Sequence, residues 1–137
     1  TSLWEKMEEM NGHEMDKIHA LFKSQDERLE AKQRIMELGD LSISDSMGTN
    51  LEINAPGVNK GMGLIQLGRL LGIEREEIMA CGDGNNDLMM LKEVGFGVAM
   101  ANGADEVKEV ADYITLSNEE DGVAAAIEKF VLNPERG

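Results

Sequence analysis

The chain has 137 residues and a mass of 15.0 kDa, room for one modest domain but short for two complete ones. It is 42% hydrophobic and 29% charged, the composition of a chain that folds, and its 13 Lys and Arg stand against 27 Asp and Glu for a formal net charge of −14. A field of that sign repels nucleic-acid backbones and anionic membrane surfaces, so neither is expected as a partner. No apolar run approaches bilayer-spanning length, the first residues carry no secretory apolar region, and the single Cys81 excludes an intramolecular disulfide. The expectation is a soluble, cytoplasmic protein.

In the first 55 residues the apolar positions alternate. Ile18, Ala20 and Phe22 are interleaved with Lys17, His19 and Lys23, with Leu21 out of step. A polar helix is predicted from about Asp26 to Leu38, closed by Gly39. Leu41 and Ile43 then alternate with Ser42 and Ser44, and Leu51, Ile53 and Ala55 with Glu52 and Asn54; the turn-forming stretch 46–50 joins the two runs into a hairpin. Period-two alternation describes antiparallel strands with one wet face.

After Ala55-Pro56-Gly57 the texture changes. Strand candidates become nearly continuous apolar runs at 78–81, 97–100 and 113–116. Between and after them, Leu64, Leu67 and Leu71, and later Val123, Ile127 and Phe130, stand at helical spacing. Short apolar strands alternating with helices read as β/α units on a parallel sheet buried on both faces. The chain therefore divides near residue 55, with an antiparallel α+β segment (1–55) before a parallel α/β segment (56–137).

The densest polar constellation is Gly82-Asp83-Gly84-Asn85-Asn86-Asp87, directly after the apolar strand ending at Cys81. Ligands of open α/β sheets bind at the carboxyl ends of strands, and oxygen-only side chains there suit a hard cation such as Mg²⁺. The same residues would serve a plain turn with Asp87 and the Asn pair capping the next helix, but caps seldom need so many polar groups behind a buried strand. An EF-hand loop is excluded, because Leu88 stands where its Gly is needed and Val94 where its bidentate Glu belongs. Asn59 reads as an N-cap for a helix running to about Leu71, and Lys60 beside it offers a positive charge to a phosphate or to Asp83 and Asp87. Lys60 alone would be an ordinary solvated lysine; it gains meaning with the Asp83 cluster.

Other residues carry less. His13 and His19 have no partner at metal-ligand spacing, Cys81 inside an apolar strand reads as inert core, and Met89 and Met90 read as packing. Glu8, Glu9 and Glu14, like Glu119, Glu120 and Asp121, read as solvated faces. No G-x-x-x-x-G-K-[ST] occurs, which argues against a P-loop nucleotide hydrolase.

Residues from about Leu51 to Leu132 resemble the C-terminal part of the haloacid dehalogenase superfamily, specifically its Cof-type (class IIB) phosphatases with a large cap. The stretches that carry the resemblance are LEINAPGVNKG (51–61), GDGNNDLMML (82–91), GVAMANG (97–103) and EDGVA (120–124), spaced motifs in the family's order. The resemblance implies the C-terminal half of a Rossmann-like core over 56–137, preceded at 1–55 by the end of an α+β cap. It also implies Mg²⁺-dependent hydrolysis of a small phosphorylated metabolite, such as a sugar phosphate, through an aspartyl-phosphate. By position, Lys60 matches the lysine on the phosphoryl oxygens, Asp83 the acidic Mg²⁺ ligand, Asp87 the second acid that binds or orients the metal shell, and Asn86 the amide near phosphate and metal waters. The requirement is physically coherent, since phosphoryl transfer is mostly positioning plus charge neutralisation.

One motif is missing. The family's nucleophile and general acid lie in a D-x-D-G-T strand-loop ahead of the cap, and these 137 residues contain no D-x-D. Asp45-Ser46-Met47-Gly48-Thr49 is only superficially similar, because Met47 replaces the second acid and the segment falls in the hairpin. The expectation is the second half of an enzyme, inactive alone, with strand 78–81 left as a bare edge for a complementing N-terminal segment or for a second copy. The alternatives are a truncated non-catalytic relative with a weak cation site and, less well matched, a receiver-type α/β domain, which leaves the antiparallel first 55 residues unexplained.

Overall fold

The computed structural model describes residues 17–45 and 48–133. His13 and the acidic residues 8, 9 and 14, and with them Ser46 and Met47, lie outside the described residues. Two three-stranded sheets form, one on each side of the division near residue 55.

The first sheet is antiparallel, in the order β1 (Ile18–Leu21), β3 (Asn50–Asn54), β2 (Ser42–Ser44). Its register places Ile18, Ile53 and Ile43 in one row, with Ala20 opposite Leu51. The intervening polar side chains, Lys17, His19, Ser42, Ser44, Glu52 and Asn54, therefore share the opposite face. Leu21, out of step in the alternation, is accordingly exposed, and Phe22 extends the pairing by one bond from its N–H to the carbonyl of Thr49. Helix α1 (Gln25–Met36) joins β1 to β2. Ser24 caps it by accepting the Glu27 N–H at 3.2 Å, and it ends at Glu37, two residues before Gly39. Its one buried residue is Arg28, whose guanidinium meets Asp45 at 2.8 Å.

The second sheet is parallel, in the order β4 (Met79–Gly82), β5 (Phe96–Ala99), β6 (Tyr113–Ile114), with Gly82 level with Ala99 and Ala99 level with Ile114. Helices α2 (Lys60–Leu71), α3 (Leu88–Glu93), α4 (Asp105–Val110) and α5 (Gly122–Ile127) flank it or connect its strands. The three apolar runs become strands with their ends shifted by up to two residues, and the last strand is shorter than its run, although the Thr115 N–H still donates to the Ala99 carbonyl and the Leu116 carbonyl accepts the Ala101 N–H. The core lies between this sheet and its helices, where Ala80, Leu91, Val94, Ala99 and Val107 cluster.

Helix α2 starts where the sequence indicates, with the Asn59 side chain accepting the Met62 N–H at 3.0 Å. Its buried face differs from the leucine spacing. Gly61 and Gly68 are its fully buried residues; of the leucines Leu64 packs half-buried on the core, while Leu67 and Leu71 are exposed and Leu70 more so. The reason is close approach: a Cβ at Gly61 would lie 2.8 Å from the Met89 carbonyl oxygen, and one at Gly68 2.9 Å from Ile78 Cδ1. In α5 the buried residues are Gly122 and Ala126 rather than Val123 and Ile127, and Phe130 packs edge-on against Phe96 and Tyr113. Met89 is likewise exposed rather than packed.

A tight seam joins β5 to α3, where a Cβ on Gly97 would meet the Leu91 carbonyl oxygen at 2.5 Å. Backbone cannot yield as a flexible side chain can, so Gly97→Ala is expected to cost about 1–3 kcal/mol. A lowered urea midpoint at unchanged slope is the check.

Candidate active site

Strand β4 delivers its carboxyl end as Gly82, and the chain then makes a short 3₁₀ turn over Asn85–Asp87 before α3 begins. Gly82 has to be glycine, because a Cβ there would stand 2.6 Å from the Cβ of Asp87. The turn folds Asp87 back under the strand end, where its carboxylate Oδ2 accepts the N–H groups of Asp83 and Gly84 at 3.1 and 3.2 Å. Its Oδ1 receives the Lys60 ammonium at 2.5 Å, brought in by the first turn of α2. Asp87 is buried, whereas the Lys60 side chain is half exposed.

Asp83 differs in every respect. Its backbone is clamped, since its carbonyl accepts the Ala104 N–H at 3.0 Å and Gly103 comes so near that a Cβ there would stand 3.2 Å from the Asp83 Cα. Its carboxylate is exposed and has neither a hydrogen bond nor an ion pair among the described residues. Two acids four residues apart thus have separate tasks: one is fully engaged inside, the other is held rigidly and left open.

Two adjoining cavities meet at Lys60, which lines both. The smaller, about 460 Å³, is walled by Asp83, Asp87, Cys81, Met100 and Asn118. The larger, about 760 Å³, lies between the parallel-sheet segment and the polar face of the antiparallel sheet, and takes Asn85 and Asn86 as part of its wall. All four residues singled out from the sequence, Lys60, Asp83, Asn86 and Asp87, are therefore brought together around one junction. The wet face expected of the first sheet is in fact a cavity wall.

Asn118 was not found from the sequence. It belongs to a turn after β6, held by the Asn102 side chain, which accepts the Asn118 N–H at 2.8 Å. The Ser117 hydroxyl donates to Glu120 at 2.6 Å, and this bond, joined by the Ser117 N–H, holds the Glu120 carboxyl below its ordinary range. The available signal was position: a polar turn directly after the third apolar run falls at the carboxyl end of the sheet. Glu119, Glu120 and Asp121 are exposed, as expected. His19 is exposed but not idle, with Nε2 3.0 Å from the amide of fully buried Asn50. Burial pushes the Cys81 thiol above its usual range, the opposite of an activated nucleophile.

The sequence profile of the haloacid dehalogenase-like hydrolases matches residues 4–127. The chain belongs to that family. A curated relative, the 5-amino-6-(5-phospho-D-ribitylamino)uracil phosphatase YcsE of Bacillus subtilis, is 45% identical over 125 residues, covering 91% of this chain and 50% of its own. A solved haloacid dehalogenase-like hydrolase from B. subtilis superposes with a TM-score of 0.81 at 30% identity, over 90% of this chain and 45% of that one. A HAD subclass IIB sugar phosphatase superposes at 0.78 and 32% identity, over 90% and 46%. The chain spans at most about half the length of the curated relatives named here and of these structures. The Cof-type resemblance and the α/β class with a parallel sheet and flanking helices hold. Among the described residues, no helix is long and apolar enough to cross a membrane.

Asp87→Ala removes the acceptor for two backbone N–H groups and should destabilise the fold by about 2 kcal/mol. Lys60→Ala, at a half-exposed position, should cost less than about 1 kcal/mol. Equal losses in paired urea titrations would contradict the division of labour at Asp87. Cys81, with its raised thiol pKa, should alkylate more slowly with iodoacetamide at neutral pH than a free thiol does.

Proposed function

We propose that these residues form the phosphate and metal half of a phosphatase active site that hydrolyses a small phosphorylated metabolite in the cytoplasm. The observation that carries this reading is the pair of acids: Asp87 neutralised by Lys60 and two amides, and Asp83 rigid, open and unpaired beside them. The named phosphatases among the relatives support the reaction class.

The donor set fits Mg²⁺. One open carboxylate with amide oxygens nearby suits an ion that keeps most of its waters and takes one or two protein carboxylates. No cluster of three or more His, Cys, Asp or Glu is present among the described residues, which is compatible with that habit. Asp83 would hold the ion, and Asp87, with both oxygens engaged, would act by orienting Lys60 and the loop. When bound, the ion supplies charge neutralisation at the phosphoryl oxygens. Lys60 binds the phosphate at the junction of the two cavities, and Asn86 orients it from the larger one. The amides holding Asp87 keep this array preformed, so little reorganisation is needed as charge develops.

The nucleophile of the aspartyl-phosphate route is assigned to an aspartate outside these 137 residues, because no D-x-D occurs among them. Asp45 is a poor substitute, since its carboxylate is taken by Arg28. The position of β4 at the edge of the described sheet and the exposed Leu67, Leu70 and Leu71 support docking of a complementing segment or a second copy there.

Two measurements test the reading on protein expressed from its own gene. Intact mass comes first. A value well above 15.0 kDa leaves room for the nucleophile on the same chain and the reading stands, whereas a value equal to it favours a non-catalytic relative with a cation site. In the longer protein, Asp83→Asn should abolish Mg²⁺-dependent turnover of p-nitrophenyl phosphate; unchanged turnover refutes the role of Asp83.

A further inference from the structure

The larger cavity carries a charge pattern that the phosphatase reading does not use. Its cations are Lys17, Lys32, Lys60 and Lys92, an unexpected gathering in a chain of net charge −14. Three acids share the lining: Asp45, Glu52 and Glu106. Most of these charges are already matched. Lys17 donates to Glu52 at 2.8 Å, Asp45 is held by Arg28, and Lys60 is held by Asp87. What remains is two lysines, Lys32 and Lys92, with no hydrogen bond or ion pair from their ammonium groups among the described residues, against one exposed acid, Glu106.

Lys32 is the more informative of the two. It lies one helical turn beyond Arg28 on the same face of α1, and it is half-buried where a helix would ordinarily place an apolar residue. Arg28 uses its charge internally, on Asp45; Lys32 has no such acid and borders the cavity instead. The rest of the wall that the antiparallel sheet presents, Ser42, Ser44 and Asn54, is neutral and hydrogen-bonding. Lys92 borders the same cavity from the end of α3, on the parallel-sheet side.

We infer that Lys32, with Lys92 as its counterpart on the other wall, receives a second negative charge on the substrate, so that the preferred ligand is a phosphate monoester bearing a carboxylate or second phosphate at its far end. The inference rests on the phosphatase reading only for where the ester phosphate sits, at Lys60. A cavity of about 760 Å³ accommodates a six-carbon backbone between the two ends. Two cations on facing walls of the cleft supply selectivity, because a ligand with a neutral far end leaves them without a partner.

A matched pair of ligands isolates that charge: 6-phosphogluconate carries a terminal carboxylate where sorbitol 6-phosphate carries a hydroxyl. Calorimetric titration is run without divalent cation, so that no turnover intervenes. It should show 6-phosphogluconate binding tighter by about tenfold, with the gap narrowing as salt is raised. Lys32→Gln should close most of the gap while leaving sorbitol 6-phosphate affinity unchanged. Lys92→Gln should narrow it less. Equal affinities, a gap that survives Lys32→Gln, or failure to bind either compound overturns the inference. Turnover of p-nitrophenyl phosphate, whose far end is uncharged, by the longer protein with Mg²⁺ added reports separately on the phosphatase reading: its absence with the preference intact would sink that reading and leave the second-anion site standing.

Discussion

Asp87 ties together the start of α2, the end of β4 and the loop that leads into α3. Its two carboxylate oxygens face different elements, one the lysine that opens α2 and the other the backbone amides that follow β4. The bare backbone at Gly82 provides the room, since any side chain there would occupy the place of the carboxylate. A buried acid of this kind is tolerated only because both oxygens are satisfied, and the satisfaction fixes the direction of the loop. The openness of Asp83 follows from it: with the amide of its own residue turned inward to Asp87, the Asp83 side chain is left on the outer side of the turn.

The sheet that precedes this arrangement contributes a surface more than a core. Its alternation sorts isoleucines to one side and lysine, serine, glutamate and asparagine to the other, and the polar side closes the larger cavity. A strand pattern that elsewhere means only contact with solvent here means contact with whatever enters the cleft. In the proposed site the two sheets would divide recognition from chemistry, with Lys60, which lines both cavities, at the boundary between them.

Much of this was legible in the sequence, and the limits were physical. The N-cap at Asn59, the start of α2 at Lys60 and the junction of β4 with the Asp83 loop are local events, written in residues a few positions apart. The gathering of Lys60, Asp83, Asn86 and Asp87 followed from the same loop and helix start. What sequence reasoning missed depended on distance in the fold. Leucines at helical spacing in α2 proclaimed a core face, yet of them only Leu64 packs on the core and Gly61 and Gly68 take the closest contacts, because a helix pressed so near its neighbours needs the absence of side chains there. Asn118 could be suspected only from its place after the third strand. The different fates of Arg28 and Lys32, one turn apart on the same helix, depended on where Asp45 falls after β2, which no periodicity reports.

The glycine face of α2 has a dynamic consequence. A helix that meets its neighbours through Gly61 and Gly68 uncovers less apolar surface on lifting away than a full leucine face would, since of its leucines only Leu64 packs on the core while Leu67, Leu70 and Leu71 are exposed. The hydrophobic penalty for opening that element is lowered accordingly, with the burial of Leu64 the part that opposes it. Lys60 rides on its first turn. Each such opening carries the ammonium away from Asp87 and leaves the amide-held carboxylate in place, so the positive half of the pair is the part that comes and goes while the negative half stays fixed.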